Sequence, residues 1–281
     1  MKVFEKIKDI RTELKNNRRA GKTTGFVPTM VALHQGHISL IEKSKLENQI
    51  TVVSIFVNPN QFNDPLDYQK YPRTPEDDIR YLEDNGCDLL FAPDATEIYP
   101  SPDTRRFDFG MLDKVMEGLY RPGNFNGVAQ VVSRLFEIIS PDNAYFGEKD
   151  FQQLVIIKKL VKILNYDIKI IGCPIVREPD GLAMSSRNML LSPEHRLNAP
   201  IISEILHEAS CISRKKNSIE DVTKWVINRI NENSLFKVEY FQIVNEDGLT
   251  AATDWNKGSS LIGCIAVFAG NVRLIDNVRF N

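Results

Sequence analysis

The stretch Phe26-Val-Pro-Thr-Met-Val-Ala-Leu-His-Gln-Gly-His37 and the apolar run Ile50-Thr-Val-Val-Ser-Ile-Phe-Val57 decide the fold. Phe26 to Pro28 is typical of a strand end, and the segment from His37 to Leu46 is typical of a helix. The run from Ile50 to Val57 is continuous and rich in β-branched residues, which fits a parallel strand buried on both faces. Strand, helix and strand within about 30 residues form a βαβ unit.

The same alternation continues along the chain. We predict further helices over Val3–Leu14, Thr74–Gly86 and Asp150–Leu164, and further strands over Asp88–Ala92, Asn143–Phe146 and Ile168–Gly172. Alternating strands and helices predict an α/β fold with a doubly wound parallel sheet.

The order of predicted helices and strands changes after Pro174. There we expect helices over Ser192–Arg214 and Ser218–Asn233, then strands over Val238–Val244, Leu261–Phe268 and Val272–Ile275. This pattern is α+β and contains no further βαβ unit. The expected domains are therefore 1–174, which carries the parallel sheet, and 175–281, which is smaller and α+β.

Composition excludes several classes of protein. The 281 residues carry 35 Lys+Arg and 37 Asp+Glu, a net charge of −2. This balance argues against a broad basic surface for nucleic acid. The longest apolar run, near residues 261–270, is too short for a membrane span. With no signal-peptide pattern at the N-terminus, we expect a cytoplasmic protein without membrane or nucleic-acid partners, whose four cysteines are reduced and buried.

Two histidines stand where the first strand leads into a helix. Gly36 lies between His34 and His37 and permits close backbone approach. A helix N-terminus offers unpaired N–H groups to phosphate, and two imidazoles three residues apart add donors on one face. Three uses remain open for the pair: phosphate binding, a structural cap with a packed partner, or metal binding.

Polar residues also follow other predicted strands. Asn58 and Gln61 follow the strand from Ile50, and Lys149 and Asp150 follow the strand from Asn143. Turn formation and helix capping are the structural alternatives for these two pairs. The loop Met184-Ser-Ser-Arg-Asn188 adds hydroxyls and a guanidinium that suit phosphate, although an ordinary polar loop fits equally.

These residues together resemble a known family. His34-Gln-Gly-His37 resembles the H-x-G-H signature of the nucleotidylyl-transferase superfamily, whose fold is Rossmann-like, and Met184-Ser-Ser-Arg187 resembles its second signature loop. The full series resembles the pantothenate synthetase (pantoate–β-alanine ligase) family. Its motifs are Pro28-Thr-Met30, Phe56–Phe62, Tyr71-Pro-Arg-Thr-Pro75, Arg121-Pro-Gly123, Phe146–Gln153 and Met184–Asn188.

The resemblance implies an ATP-dependent ligase. Pantoate and ATP would give pantoyl adenylate and pyrophosphate, and β-alanine would then displace AMP to give pantothenate. Magnesium would accompany the nucleotide, and the protein would be a homodimer whose C-terminal domain closes over the active site.

The resemblance also implies roles for single residues. His34, His37, Lys149 and Arg187 would be catalytic. ATP would be bound by Met30, His34, His37, Gly147, Lys149, Asp150, Val176, Met184, Ser185, Ser186 and Arg187. Pantoate would be bound by Met30, Asn58, Gln61, Phe62 and Gln153. Asp77 and Asp78 match acidic positions associated with magnesium, although Asp77 also suits the first turn of a helix.

Two positions depart from the family pattern. Val31 stands where the family usually has Gly, and a β-branched residue would be strained at positive φ. Asn124 stands where the family usually has His, and Asn keeps a donor but does not titrate. Three other functions compete with the ligase: another nucleotidylyl transferase, a catalytically silent nucleotide-binding protein and a metallohydrolase.

Overall fold

The computed structural model describes residues 1–62, 68–69, 74–212, 217–255 and 260–280. Residues 71–73, which begin the family motif Tyr71-Pro-Arg-Thr-Pro75, lie outside the described residues. The described chain forms two compact units. The first comprises residues 1–148 and 156–174, and the second comprises residues 149–155 and 175–281.

The first unit contains a six-stranded parallel sheet, which confirms the predicted doubly wound class. Its strands are β1 (Lys2–Phe4), β2 (Thr24–Thr29), β3 (Ile50–Ile55), β4 (Leu89–Phe91), β5 (Asn143–Gly147) and β6 (Lys169–Cys173). Their spatial order is β1-β4-β3-β2-β5-β6. β2 and β3 are apolar and buried along nearly their whole length, as expected for strands covered on both faces.

Helices connect these strands. They are α1 (Ile7–Arg19), α2 (Gln35–Glu47), α3 (Pro75–Asp84), α4 (Ala95–Ile98), α5 (Glu117–Tyr120), α6 (Asn124–Ile139) and α7 (Phe151–Ile163). Two short 3-10 helices span Pro59–Gln61 and Glu148–Asp150. The sequence predicted no helix at α6, which begins after Gly123 without a side-chain cap.

The second unit packs helices against an antiparallel sheet of order β7-β8-β9. The strands are β7 (Phe236–Asn245), β8 (Leu261–Ala269) and β9 (Val272–Phe280). The helices are α8 (Pro193–Asn198), α9 (Ile201–Cys211) and α10 (Ile219–Asn231), with a 3-10 helix over Ser186–Leu190. Ile205, Val226 and Ile265 lie in their common apolar core.

Four expectations were wrong in detail. Val3 belongs to edge strand β1, so the first helix begins only at Ile7. The helix predicted from Ser192 is interrupted next to Pro200, which has no N–H to donate. Strand β9 continues past Ile275 to Phe280. Cys211 is exposed, whereas the other three cysteines are buried.

No described helix combines the length and the apolar character that a membrane crossing requires.

Candidate active site

The strand order of the first unit reverses between β2 and β5. These two strands are neighbours, and the chain winds outward from them in opposite directions along the sheet. In open α/β sheets, ligands bind in the crevice at the carboxyl ends of the strands at such a point. The loop that carries His34 and His37 follows β2, and Gly147 is the last residue of β5. Sequence and topology therefore place these residues at the ligand-binding edge.

His34 and His37 form the N-terminal cap of α2. The N–H of Gly36 donates to His34 Nδ1 at 3.1 Å, and the N–H of His34 donates to His37 Nδ1 at 3.2 Å. The two bonds make a reciprocal capping box in which both capping side chains are histidines. The ring centroids lie 4.1 Å apart. The cap thus brings the two predicted imidazoles together.

This arrangement fixes the hydrogen-bonding polarity of both rings. A backbone N–H is always a donor, so each Nδ1 must be an acceptor and carry no proton. A neutral imidazole then has its proton on Nε2. Both histidines therefore present an Nε2–H donor, next to the positive end of the α2 dipole.

The loop between β2 and the cap holds one residue with positive φ. That residue is Ala32, with φ 55°, and Val31 is not among the positive-φ residues. Val31 is instead buried in the apolar core of the unit at 6% exposure. The departure from the family's usual Gly is therefore accommodated, because the strained conformation falls on the next residue.

Asp78 holds this loop in place. The N–H groups of Ala32 and Leu33 donate to its two carboxylate oxygens at 2.9 and 2.8 Å. Asp78 lies in the first turn of α3 and is only 3% exposed. A buried carboxylate needs such partners, and a charge-assisted bond at each oxygen supplies them.

The predicted magnesium role of Asp77 and Asp78 finds little geometric support. Asp78 has both oxygens engaged by the backbone, whereas Asp77 is exposed. Among the described residues, no group of three His, Cys, Asp or Glu side chains is placed to hold a metal ion. Asp78 is therefore engaged within the protein, and the assignment of magnesium to Asp77 and Asp78 stays a prediction.

Asn58 lies after β3 and fixes the orientation of Gln61. Its Nδ2 donates to the carbonyl of Gly127 at 3.0 Å and to Gln61 Oε1 at 3.2 Å. Its Oδ1 accepts from the N–H of Asn60 and from the hydroxyl of Tyr99. The Gly127 carbonyl can only accept and the Asn60 N–H can only donate, so these two backbone groups identify the nitrogen and the oxygen of the Asn58 amide. Asn58 is 1% exposed, so its polar atoms serve protein partners.

Gln61 consequently presents its amide nitrogen. Because Oε1 accepts from Asn58, the other end of the side chain is Nε2, which approaches Met30 Sδ at 3.1 Å. Met30 and Phe62 both pack at the edge of the same apolar core. The first unit therefore brings Met30, Asn58, Gln61 and Phe62 together as an amide donor beside an apolar wall.

Helix α6 supports Gln61 from its main-chain side. Asn124 Nδ2 donates to the carbonyl of Gln61 at 2.6 Å. A Cβ on Gly127 would meet the carbonyl oxygen of Asn60 at 2.2 Å, so this close approach requires glycine. Asn124 therefore acts as a donor that positions Gln61, a role that needs no titration.

The second unit presents the Met184 loop from a short hairpin. The N–H of Met184 donates to the carbonyl of Val176 at 3.0 Å, and Arg177 and Ala183 form an antiparallel bridge. Gly181 turns the hairpin with φ 92°. Val176 and Met184, two residues predicted to bind ATP, are therefore direct neighbours.

Ser185 caps the 3-10 helix that follows the hairpin. Its Oγ accepts from the N–H of Arg187 at 3.3 Å, which leaves the hydroxyl hydrogen for donation. Ser186 is buried, and Arg187 is partly exposed. The cap thus places the predicted hydroxyls and guanidinium on one short helix.

Lys149, Asp150 and Gln153 lie where the chain enters α7. Lys149 and Gln153 are partly buried, and Asp150 is exposed. Their predicted roles toward ATP and pantoate stay predictions.

Sequence reasoning missed several supporting residues. They are Tyr99, Arg177, Asp276 and Asn277. They bind other side chains or main-chain groups across long sequence separations, and no local motif marks such partners.

Comparisons with known proteins agree over the whole chain. The family model described as pantoate-beta-alanine ligase matches residues 2–279. The pantothenate synthetase of Bacteroides fragilis strain YCH46 is 51% identical over 280 residues, which cover 100% of this chain and 99% of the relative.

Solved structures give the same result. The crystal structure of pantothenate synthetase from Thermus thermophilus has a TM-score of 0.92 and 40% identity, with 99% of each chain covered. The pantoate-beta-alanine ligase of Francisella tularensis, complexed with beta-gamma ATP and beta-alanine, has a TM-score of 0.82 and 39% identity. The match covers 99% of this chain and 97% of that one. The resemblance seen in the sequence motifs is confirmed, and the chain belongs to the pantoate-beta-alanine ligase family.

Proposed function

We propose that this chain joins pantoate to β-alanine in two steps at the expense of ATP. In the first step a carboxylate oxygen of pantoate attacks the α-phosphorus of ATP, and pyrophosphate leaves. In the second step the amine of β-alanine attacks the acyl carbon, and AMP leaves with that oxygen. The amine loses a proton, and the product is the amide pantothenate.

The observation that carries the proposal is the histidine capping box. It presents two Nε2–H donors beside the N-terminus of α2, at the carboxyl end of β2. Phosphoryl transfer needs positioning and stabilisation of developing charge, with little covalent help from protein. Fixed donors at a helix N-terminus meet that need, because they require no reorganisation as charge develops.

The remaining nucleotide contacts follow the family pattern. Lys149 and Arg187 stabilise charge on the phosphates and on the leaving pyrophosphate, and Ser185 and Ser186 add hydroxyl donors. Met30, Gly147, Asp150, Val176 and Met184 contact the rest of the nucleotide. The capped helix that carries Ser185 and Arg187 supports this assignment.

Pantoate binds through amides and an apolar wall. Gln61 donates through Nε2 to a pantoate oxygen, and Gln153 binds another. Met30 and Phe62 contact the dimethyl group. Asn58 acts through Gln61, because its own polar atoms are bonded within the protein. Two neutral amides hold a carboxylate without adding a competing charge.

Magnesium enters with the nucleotide. Mg²⁺ usually keeps several waters and is bound by substrate phosphates and one or two carboxylates. We assign the ion to the phosphates of ATP. When bound it neutralises phosphate charge, and we derive no step that depends on it.

Two further properties belong to this proposal. The chain forms a homodimer, and residues 175–281 close over the bound nucleotide. Sedimentation velocity tests the dimer, and small-angle scattering with and without a non-hydrolysable ATP analogue tests closure.

Isotope transfer tests the chemistry directly. With pantoate labelled by ¹⁸O in its carboxylate, one labelled oxygen is expected in AMP and none in pyrophosphate. AMP without label would exclude a pantoyl adenylate. Formation of ADP would indicate an acyl phosphate in place of the adenylate. An adenylylated product that β-alanine does not consume would favour a different nucleotidylyl transferase.

A further inference from the structure

Strand β9 carries an adjacent pair of buried polar side chains, Asp276 and Asn277. They are only 4% and 5% exposed. A buried carboxylate and a buried amide lower stability unless their hydrogen-bonding groups find partners. The partners they find belong to segments that carry predicted catalytic residues, and all of them lie in the second unit.

Asp276 holds the hairpin that leads to Met184. Arg177 Nη1 and Nη2 donate to its two carboxylate oxygens at 2.7 and 3.0 Å, a two-point contact. Arg177 Nη1 also donates to the carbonyl of Gly181 at 3.1 Å, across the turn of the hairpin. The carboxylate therefore fixes the base of the hairpin, and the guanidinium fixes its turn.

Asn277 holds the main chain of Lys149. Its Nδ2 donates to the carbonyl of Lys149 at 3.1 Å, across 128 residues of sequence. Its own N–H donates to Asp276 Oδ1 at 2.8 Å, so the two residues are linked. One pair of residues thus contacts both the Lys149 segment and the base of the hairpin that leads to Arg187.

We propose that Asp276 and Asn277 are positioning residues for adenylate formation. Asn277 sets the main chain from which Lys149 reaches the nucleotide, and Asp276 acts through Arg177 on the loop that presents Arg187. Neither residue contacts substrate in this proposal, which rests on the proposed ligase function. A small displacement of a catalytic group lowers the rate strongly, so a remote anchor has a measurable effect.

Double-mutant cycles test the two arms. Asn277→Ala is expected to lower the single-turnover rate of adenylate formation about tenfold in the wild-type background and less than twofold in Lys149→Ala. Arg177→Lys keeps the charge but loses the two-point contact. This variant is expected to lower the single-turnover rate of adenylate formation about tenfold when Arg187 is present and less than twofold in Arg187→Ala.

Glu239→Gln is the matched control. Arg273 Nε donates to Glu239 Oε2 at 2.9 Å in an ion pair that joins β7 to β9. Strand β9 is also the strand that carries Asp276 and Asn277. This variant is expected to change the rate less than twofold in each background. Thermal melting of every variant identifies any that fail to fold, and Asn277→Ser then replaces Asn277→Ala.

The outcomes separate the two proposals. Equal losses in both backgrounds, or no loss in folded Asn277→Ala and Arg177→Lys, would overturn the positioning role while the ligase function stands. Wild-type enzyme that forms no adenylate from pantoate would overturn the ligase function, and the positioning role would fall with it.

Discussion

Two loops of this protein, one in each unit, use a helix cap to orient a predicted phosphate-binding side chain, but they are anchored by different contacts. In the first unit, His34 caps α2 and accepts from the N–H of Gly36. In the second unit, Ser185 caps a 3-10 helix and accepts from the N–H of Arg187. In both, the capping atom acts as an acceptor, so the hydrogen of the same side chain is directed to donation. Capping thus prepares each side chain to bind an anion.

The anchors behind the two caps differ. Asp78 binds two main-chain N–H groups of the first loop, so it fixes a backbone path. Asp276 binds the guanidinium of Arg177, so it fixes the second loop through a side chain. A backbone anchor places few demands on the loop's side chains. A side-chain anchor depends on the identity of Arg177.

Removal of the first cap should have the largest effect. We expect His34→Ala to lower the rate of adenylate formation by about 10² or more, the scale for loss of a charge-stabilising donor. His34→Asn separates helix capping from donation to phosphate. Asn is a strong N-cap but cannot place a donor where Nε2 of His34 lies. Rapid-quench single-turnover assays measure both variants. Near-normal rates in His34→Asn would show that His34 only caps the helix.

Loss of the backbone anchor should have a smaller effect. Asp78→Asn places an amide NH₂ against one of two backbone donors, so we expect about 1–3 kcal/mol lower stability and about tenfold slower adenylation. Denaturant unfolding and single-turnover rates measure these effects. Glu76→Gln, at an exposed position of the same helix turn, is the control. A raised magnesium requirement in Asp78→Asn, with stability unchanged, would instead support the metal assignment.

Loss of the hydrogen bond from Asn124 to Gln61 should weaken the use of pantoate more than the use of ATP. Asn124→Ala removes the donor to the Gln61 carbonyl, and we expect the KM for pantoate to rise about fivefold to tenfold while the KM for ATP stays within twofold. Asn124→His restores a donor and the family's usual residue, and should recover most of the loss. Steady-state kinetics decide the matter, and equal changes in both KM values would argue against this role.

Thiol modification should have the smallest effect on activity. Burial raises the pKa of the Cys87 thiol to about 12 and that of Cys173 in the first unit to about 11, whereas Cys211 in the second unit is exposed. Since the thiolate is the reactive form, iodoacetamide at pH 8 should label Cys211 and spare Cys87 and Cys173. Peptide mapping identifies the labelled residue, and Cys211→Ser should retain full activity. Inactivation of folded Cys211→Ser would contradict this prediction.

The sequence predicted the parallel sheet and the position of the histidines. Continuous apolar runs such as Ile50–Ile55 identify strands buried on both faces, and His34 precedes a periodic helix. Those signals are local. Strand β1 was missed because its three residues become a strand only by pairing with β4, more than 80 residues away.

The supporting residues could not be predicted for a related reason. Asp276 and Asn277 resemble a strand end in the sequence, so the predicted strand stopped at Ile275. They continue β9 because its backbone pairs with β8 as far as Phe280, and Arg177 and the Lys149 main chain satisfy their buried side chains. The contacts of Asp78 with the Ala32 and Leu33 N–H groups were likewise not predicted, because they join residues more than 40 positions apart. A polar side chain acquires its role from distant partners, and the sequence does not show those.

Pyrophosphate–ATP isotope exchange without β-alanine tests the central claim most directly. With magnesium and pantoate, wild-type enzyme is expected to exchange label between pyrophosphate and ATP, and the exchange should stop when pantoate is omitted. His34→Asn should lose most of the exchange while still folding. Absence of pantoate-dependent exchange in enzyme that binds ATP, or full exchange in His34→Asn, would contradict the account.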